Sequence, residues 1–107
     1  MNEKEKILKF IGLAVRAGKI VSGFDQTVSE IRKGRVELLI LSKDISRNTL
    51  GKLLDIGDLP DAYSFSTAEE LGRATGKRDR AIIGITDSGF AGKLRSMFDQ
   101  YEEEDNK

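Results

Sequence analysis

The chain has 107 residues, enough for one compact domain and too few for two. It contains neither cysteine nor histidine, which excludes disulfides, thiolate metal sites, iron–sulfur clusters, thiol nucleophiles and the usual neutral-pH proton shuttle. The 18 basic and 18 acidic residues cancel, but unevenly: residues 99–107 (DQYEEEDNK) hold five acids and one lysine, leaving 17 basic against 13 acidic residues, a net +4, over residues 1–98.

Residues 3–17 read as a helix, because Ile7, Phe10, Ile11, Ala14 and Val15 recur at helical spacing with lysines and Arg16 off that face. Gly18 is a natural stop, and residues 19–22 fit a short edge strand. Gly23 opens a second helix over 24–33, with Val28 and Ile31 inward and Gly34 closing it. The run ELLIL at 37–41 is short, apolar and bounded by charge, as expected of a buried central strand. A third helix is predicted over 46–54, with Leu50, Leu53 and Leu54 as its core face, followed by a loop over 55–61 around Gly57 and the single proline, Pro60.

Residues 62–65 suggest another strand, and Ser66 or Thr67 can cap the helix after it, with Glu69 and Glu70 in the first turn and Leu71 and Ala74 inward. Gly76 ends that helix. KRDR at 77–80 is a charged turn, and AIIGI at 81–85 is a second buried strand. Asp87 or Ser88 caps the last helix, 89–98, with Phe90, Leu94, Met97 and Phe98 inward. Helices alternating with short strands imply a three-layer α/β/α sandwich, a single α/β domain over 1–98. The acidic tail, 99–107, is expected to be flexible. The first ten residues carry charges and no apolar signal-peptide core, and the apolar runs are too short to span a bilayer, so a cytoplasmic protein is expected.

Catalytic chemistry finds little support. Ser22, Ser42 and Ser88 have no histidine partner and no G-x-S-x-G elbow. The Glu69–Glu70 pair reads as a helix start, and the Glu102–Glu104 pair as part of a solvated tail. Asp44, Asp55 and Asp58 lack the spacing of a magnesium site, and no glycine pattern matches a nucleotide-binding loop. No enzyme, metal or cofactor is therefore expected.

What remains is a group of polar and basic residues at element ends. The start of the second helix offers free N–H groups near Phe24 to Gln26 and a favourable dipole for phosphate, and Asp25 and Gln26 can hydrogen-bond base edges. Asp25 is read equally well as a first-turn carboxylate stabilising the dipole. Lys43 lies at a strand end, Arg47 opens the third helix, and Lys77, Arg78 and Arg80 form the turn before the last strand. Taken singly these are solvated charges; together they can form a phosphate-binding surface.

The segments GRVELLILSKDIS (34–46) and LGRATGKRDRAIIGITDSGFAGKL (71–94) resemble the kink-turn-binding ribosomal proteins, and most closely the family's small bacterial members of the YlxQ type. The resemblance covers most of the chain. It implies a mixed four-stranded sheet within the sandwich, and binding to sharply bent RNA whose tandem sheared G·A pairs and splayed nucleotide are read by shape and exposed guanine edges. The family's signature at the second helix is G-x-N-E-x-x-K. Here it reads Gly23-Phe24-Asp25-Gln26-Thr27-Val28-Ser29: the glycine is kept, Gln26 is a polar replacement, Asp25 stands for an amide and Ser29 for a phosphate-contacting lysine. Both departures remove attraction for phosphate; Arg32 or Lys33, a turn further along, could compensate, although a helical turn is expected to aim them elsewhere. The family's second contact region corresponds to 77–80 and stays basic.

Two readings follow. In the first, a monomer binds structured RNA, a kink-turn or ribosomal RNA and not DNA, in association with translation or the ribosome, through Gly23, Asp25, Gln26, Ser29, Lys43, Arg47, Lys77, Arg78 and Arg80. In the second, the fold is kept as a protein-interaction module and kink-turn affinity is weak or lost, as the altered 23–29 stretch and the acidic tail would favour. The fold does not decide between them.

Overall fold

The computed structural model describes residues 1–101. The elements run α1 (Glu3–Arg16), β1 (Ile20–Ser22), α2 (Phe24–Arg32), β2 (Leu38–Leu41), α3 (Arg47–Leu54), β3 (Ala62–Ser64), α4 (Ala68–Ala74), β4 (Ile82–Ile85) and α5 (Ser88–Gln100). Helix starts follow the sequence signals. Asn2 and Glu5 form a reciprocal capping box on α1, and Ser46, Thr67 and Asp87 accept backbone N–H groups at α3, α4 and α5.

The four strands form one sheet in the order β1-β4-β2-β3. β4 is antiparallel to both β1 and β2, whereas β2 and β3 are parallel, so the sheet is mixed. Alternation along the central strands divides the core. Leu38, Ile40, Ile83 and Ile85 face α1, α4 and α5, meeting Ile7, Ile11, Leu71, Leu94 and Phe98. Leu39 and Ile82 face the opposite way, against Val28 of α2 and Leu53 of α3. The molecule is the expected α/β/α sandwich, with three helices on one face and two on the other.

Two packing details differ from the sequence pattern. Leu54 is 60% exposed, and Leu53 with the half-buried Ile56 fills the space under α3 instead. A helix of only eight residues presents a narrow stripe, so two consecutive leucines cannot both point at the sheet. The last helix also continues past Phe98 to Gln100. The Tyr63 hydroxyl donates to Asp99 (3.2 Å), and the Tyr101 ring meets Phe65 edge-on (5.6 Å between centroids), so aromatic packing carries order beyond 98. The remainder of the acidic tail, 102–107, lies outside the described residues.

The topology brings the carboxyl ends of β1, β2 and β3 and the amino end of β4 to one edge of the sheet. The Gly23 N–H donates to the Ile82 carbonyl (2.9 Å), and the Ser42 N–H donates to the Ala81 carbonyl (2.9 Å). Gly23 and Ser42 thus flank the start of β4, on strand ends roughly 10 Å apart.

Candidate nucleic-acid interface

The site begins with a backbone constraint. Gly23 adopts φ +88° and ψ 157°, a conformation open to glycine and strained for other residues. It turns the chain from β1 into α2 with no side chain capping the helix. The first intrahelical hydrogen bond runs from the Thr27 N–H to the Gly23 carbonyl (3.1 Å), which leaves the N–H groups of Phe24, Asp25 and Gln26 at an open helix start.

Helix α2 lies close to the sheet because position 84 has no side chain. A Cβ on Gly84 would sit 3.1 Å from the Thr27 and Val21 methyl groups and 3.3 Å from Val36. The buried Thr27 thus packs directly over β4 and sets the depth at which the α2 start emerges.

The basic turn is fixed by a second glycine. A Cβ on Gly72 would lie 2.0 Å from the Arg78 carbonyl oxygen, so the chain after α4 folds back onto the helix only because that position is glycine. The Lys77 N–H donates to the Gly72 carbonyl (2.8 Å) and the Arg80 N–H to the Ala68 carbonyl (2.9 Å). The Arg80 side chain then reaches β1: its Nε donates to the Ser22 hydroxyl (3.1 Å), and Nη1 donates to the Asp79 carbonyl (3.0 Å). Its Nε lies 4.0 Å from the ideal Cβ position of Gly23.

The third segment is tied to the same helix. Asp44 accepts the Ala68 N–H (2.9 Å), and the Lys43 N–H donates to the Ser66 carbonyl (2.8 Å). The Ala68 hydrogen bond holds the Asp44 carboxyl below the usual range. Ala68 therefore anchors the 43–47 turn through its N–H and the 77–80 turn through its carbonyl.

The predicted residues separate into four groups. Gly23, Asp25, Gln26, Lys77 and Arg80, with Ser22 and Phe24, line one open groove of about 360 Å³. Ser29 lies outside it, in a neighbouring groove between α2 and α3 that also contains Asp25, Arg32, Lys33 and Lys52. Arg78 lies outside it, in a groove with Glu69, Arg73 and Lys77. Lys43 and Arg47 are exposed at the same sheet edge, beyond the start of β4, and line neither the Gly23 groove nor the α2–α3 groove. Arg32 and Lys33 are not aimed elsewhere as the helical turn suggested: they follow Ser29 by three and four residues, the spacing of helix neighbours.

Ser22 and Lys52 were missed by the sequence reading. Ser22 carries no signal of its own, because its role depends on Arg80, 58 residues away. Lys52 carries no local signal either, because its place in the groove depends on α3 packing beside α2. Among the described residues no group of three or more His, Cys, Asp or Glu is placed to hold a metal ion, and no helix is long and apolar enough to cross a membrane.

The chain is similar to known proteins in sequence and in fold. The model of the Ribosomal protein L7Ae/L30e/S12e/Gadd45 family matches residues 5–95. The RNA-binding protein YlxQ of Bacillus subtilis (strain 168) is 44% identical over 92 residues, covering 83% of this chain and 91% of that protein. The RNA-binding protein YlxQ of Enterococcus faecium is 36% identical over 104 residues, 92% of this chain and 99% of that one. Among solved structures, a protein of unknown function from Bacillus halodurans superposes with a TM-score of 0.81 at 38% identity, covering 89% of this chain and 98% of that one. The Giardia lamblia 15.5kD RNA binding protein shares the fold, with a TM-score of 0.73 at 16% identity, covering 94% of this chain and 88% of that one.

Proposed function

The chain belongs to the ribosomal protein L7Ae/L30e/S12e/Gadd45 family, and from that premise we propose that it is a non-catalytic RNA-binding protein whose ligand is a bent, internally looped RNA of the kink-turn kind. The observation that carries this reading is the placement of the Arg80 guanidinium, fixed by Ser22, beside Gly23 at the open start of α2. Backbone N–H groups, a helix dipole and a held cation converge there, the combination that binds phosphate. Gln26 and Asp25 stand at the same groove to meet guanine edges, Gln26 as donor or acceptor and Asp25 as acceptor. Lys77 adds charge to that groove, and Lys43, Arg47 and Arg78 extend the basic rim around it. The work is cytoplasmic and translation-associated in this reading, and the protein acts as a monomer.

One observation favours a protein-interaction role instead: the Asp25 carboxylate lines both grooves at α2, where it repels phosphate. A gel-shift assay separates the two. Arg80→Ala and Gln26→Ala are expected to weaken retention of a kink-turn RNA while the circular dichroism spectrum stays unchanged, and wild-type binding is expected to fall steeply with salt. Equal retention by both variants would refute the assigned face, and salt-insensitive or absent RNA binding would favour the interaction module.

A further inference from the structure

Helix α5 returns the chain to the sheet edge that carries the basic turns. It starts beyond the end of β4 and runs back, so that its last turn packs on β3. There Asp99 accepts the Tyr63 hydroxyl (3.2 Å), and the Phe98 and Tyr63 rings stack (4.9 Å between centroids). Tyr101 leaves the helix in an extended conformation (φ −83°, ψ 120°) with its ring edge-on to Phe65. The same stretch holds the turn after β2: the Phe65 N–H donates to the Leu41 carbonyl (2.9 Å), and the Ser66 carbonyl accepts the Lys43 N–H (2.8 Å). The end of α5 and the turn carrying Lys43 and Arg47 therefore meet on residues 65–66. From Tyr101 the sequence continues as EEEDNK, with acids at its first four positions. Four extended residues span about 13 Å, enough to carry a carboxylate from Tyr101 past Phe65 to that turn. Other cations at this end of the molecule are taken, Lys4 by Glu70 (2.7 Å) and Arg95 by Asp61 (3.2 Å). The acid within the turn, Asp44, accepts the Ala68 N–H (2.9 Å), and the exposed Arg47 makes no ion pair among the described residues.

We propose that Glu102, Glu103, Glu104 and Asp105 dock on the Lys43–Arg47 turn and compete there with RNA phosphate, so that RNA reaches the whole basic rim only by displacing this segment. The inference rests on the RNA-binding reading above and adds a regulatory element to it. A carboxylate and a phosphate use the same ammonium and guanidinium donors. Tethering to α5 holds the carboxylates at a high effective concentration beside those donors, with no second molecule required. The opposite charges of residues 1–98, net +4, and of residues 102–107, four acids and one lysine, are thereby brought into contact rather than merely balanced along the sequence.

The test uses the full chain with the four acids neutralised, Glu102→Gln/Glu103→Gln/Glu104→Gln/Asp105→Asn, titrated against a kink-turn RNA over a range of salt. At about 0.1 M salt this variant is expected to bind about fivefold more tightly than wild type, the weight of one or two exposed ion pairs. The advantage should close toward 1 M, as the Debye length falls from about 10 Å to about 3 Å. In a Lys43→Gln/Arg47→Gln background, whose melting temperature checks the fold, the same neutralisation is expected to have no effect, because the docking partner is gone. An equal gain in both backgrounds would mean diffuse repulsion of RNA and would overturn the proposal. A readout without RNA tests the docking by itself. In the free protein, neutralising the four acids is expected to shift the amide resonances of residues 43–47 and to leave those of residues 77–80 in place. No shift at 43–47, or shifts centred on 77–80, would overturn the docking whatever the RNA measurements show. If the 43–47 resonances move but neither form retains kink-turn RNA at any salt, the docking stands, and the competition falls together with the RNA-binding reading.

Discussion

Gly72→Ala tests the link between backbone packing and the interface. The added Cβ would stand 2.0 Å from the Arg78 carbonyl oxygen and 2.5 Å from its carbon, against an ordinary contact of 3.4 Å or more. Both are backbone atoms, so no rotamer change relieves the clash, and the 76–80 turn must retreat by about 1.4 Å, the difference between those oxygen distances. That retreat strains the two hydrogen bonds that pin the turn, Lys77 to Gly72 and Arg80 to Ala68. Overpacking costs about 1–3 kcal/mol, and each hydrogen bond lost costs about 0.5–1.5 kcal/mol more. Alanine in place of glycine within α4 returns about 1 kcal/mol, leaving a net loss of about 1–5 kcal/mol. Thermal unfolding followed by circular dichroism should show a melting temperature lower by at least about 4 °C. The same movement withdraws Arg80 from Ser22 and Gly23, so kink-turn RNA affinity should fall by about tenfold, as expected for the loss of one charge-assisted hydrogen bond. A variant with wild-type melting temperature and wild-type affinity would refute the claim that Gly72 positions the basic turn.

Gly51 offers the opposite case: it is helical, exposed and has nothing within 4 Å of its Cβ position, so Gly51→Ala should raise stability by about 0.5–1 kcal/mol, read as an increased denaturant midpoint. Gly84→Ala places a methyl 3.1 Å from Thr27 and Val21; it should lose about 1–3 kcal/mol and, by lifting α2 from the sheet, weaken RNA retention in a gel shift. The Glu70 carboxyl is held below its usual 4.5 by hydrogen bonds from the Lys4 ammonium and then the Ser66 hydroxyl. A carboxyl lowered in the folded state stabilises fully above its unfolded value, and that contribution disappears as pH falls through the folded one. Glu70→Gln should therefore melt lower than wild type at neutral pH, with the difference closing as a melting series descends below the carboxyl's usual 4.5.

The order of elements and the sandwich were legible from local pattern, because continuous apolar runs such as 37–41 and 81–85 and period-3.6 runs such as 3–17 report burial directly. Capping residues were legible at two helices for the same reason: Thr67 and Asp87 act through the N–H groups three residues ahead of them, whereas Asn2 and Ser46 were not singled out as caps. The special conformation of Gly23 could be anticipated, since a residue joining a strand to an uncapped helix is a natural place for positive φ. Helix faces at short elements were less certain, as Leu54 shows, because one residue rotates a side chain by about 100°.

Which charges share a groove was decided only by tertiary structure. Nothing local distinguishes Arg80, held beside Gly23, from Arg78, which faces Glu69 and Arg73 two residues earlier. Nothing local tells that Lys52 of α3 and Arg32 of α2 line one groove. Those neighbours are chosen by close contacts at Gly72 and Gly84, where the missing side chain lets a turn or a helix settle onto a surface contributed by distant sequence. A sequence specifies its periodicities residue by residue, but a groove exists only where two separately folded surfaces are held at a fixed distance, and that distance is set by packing.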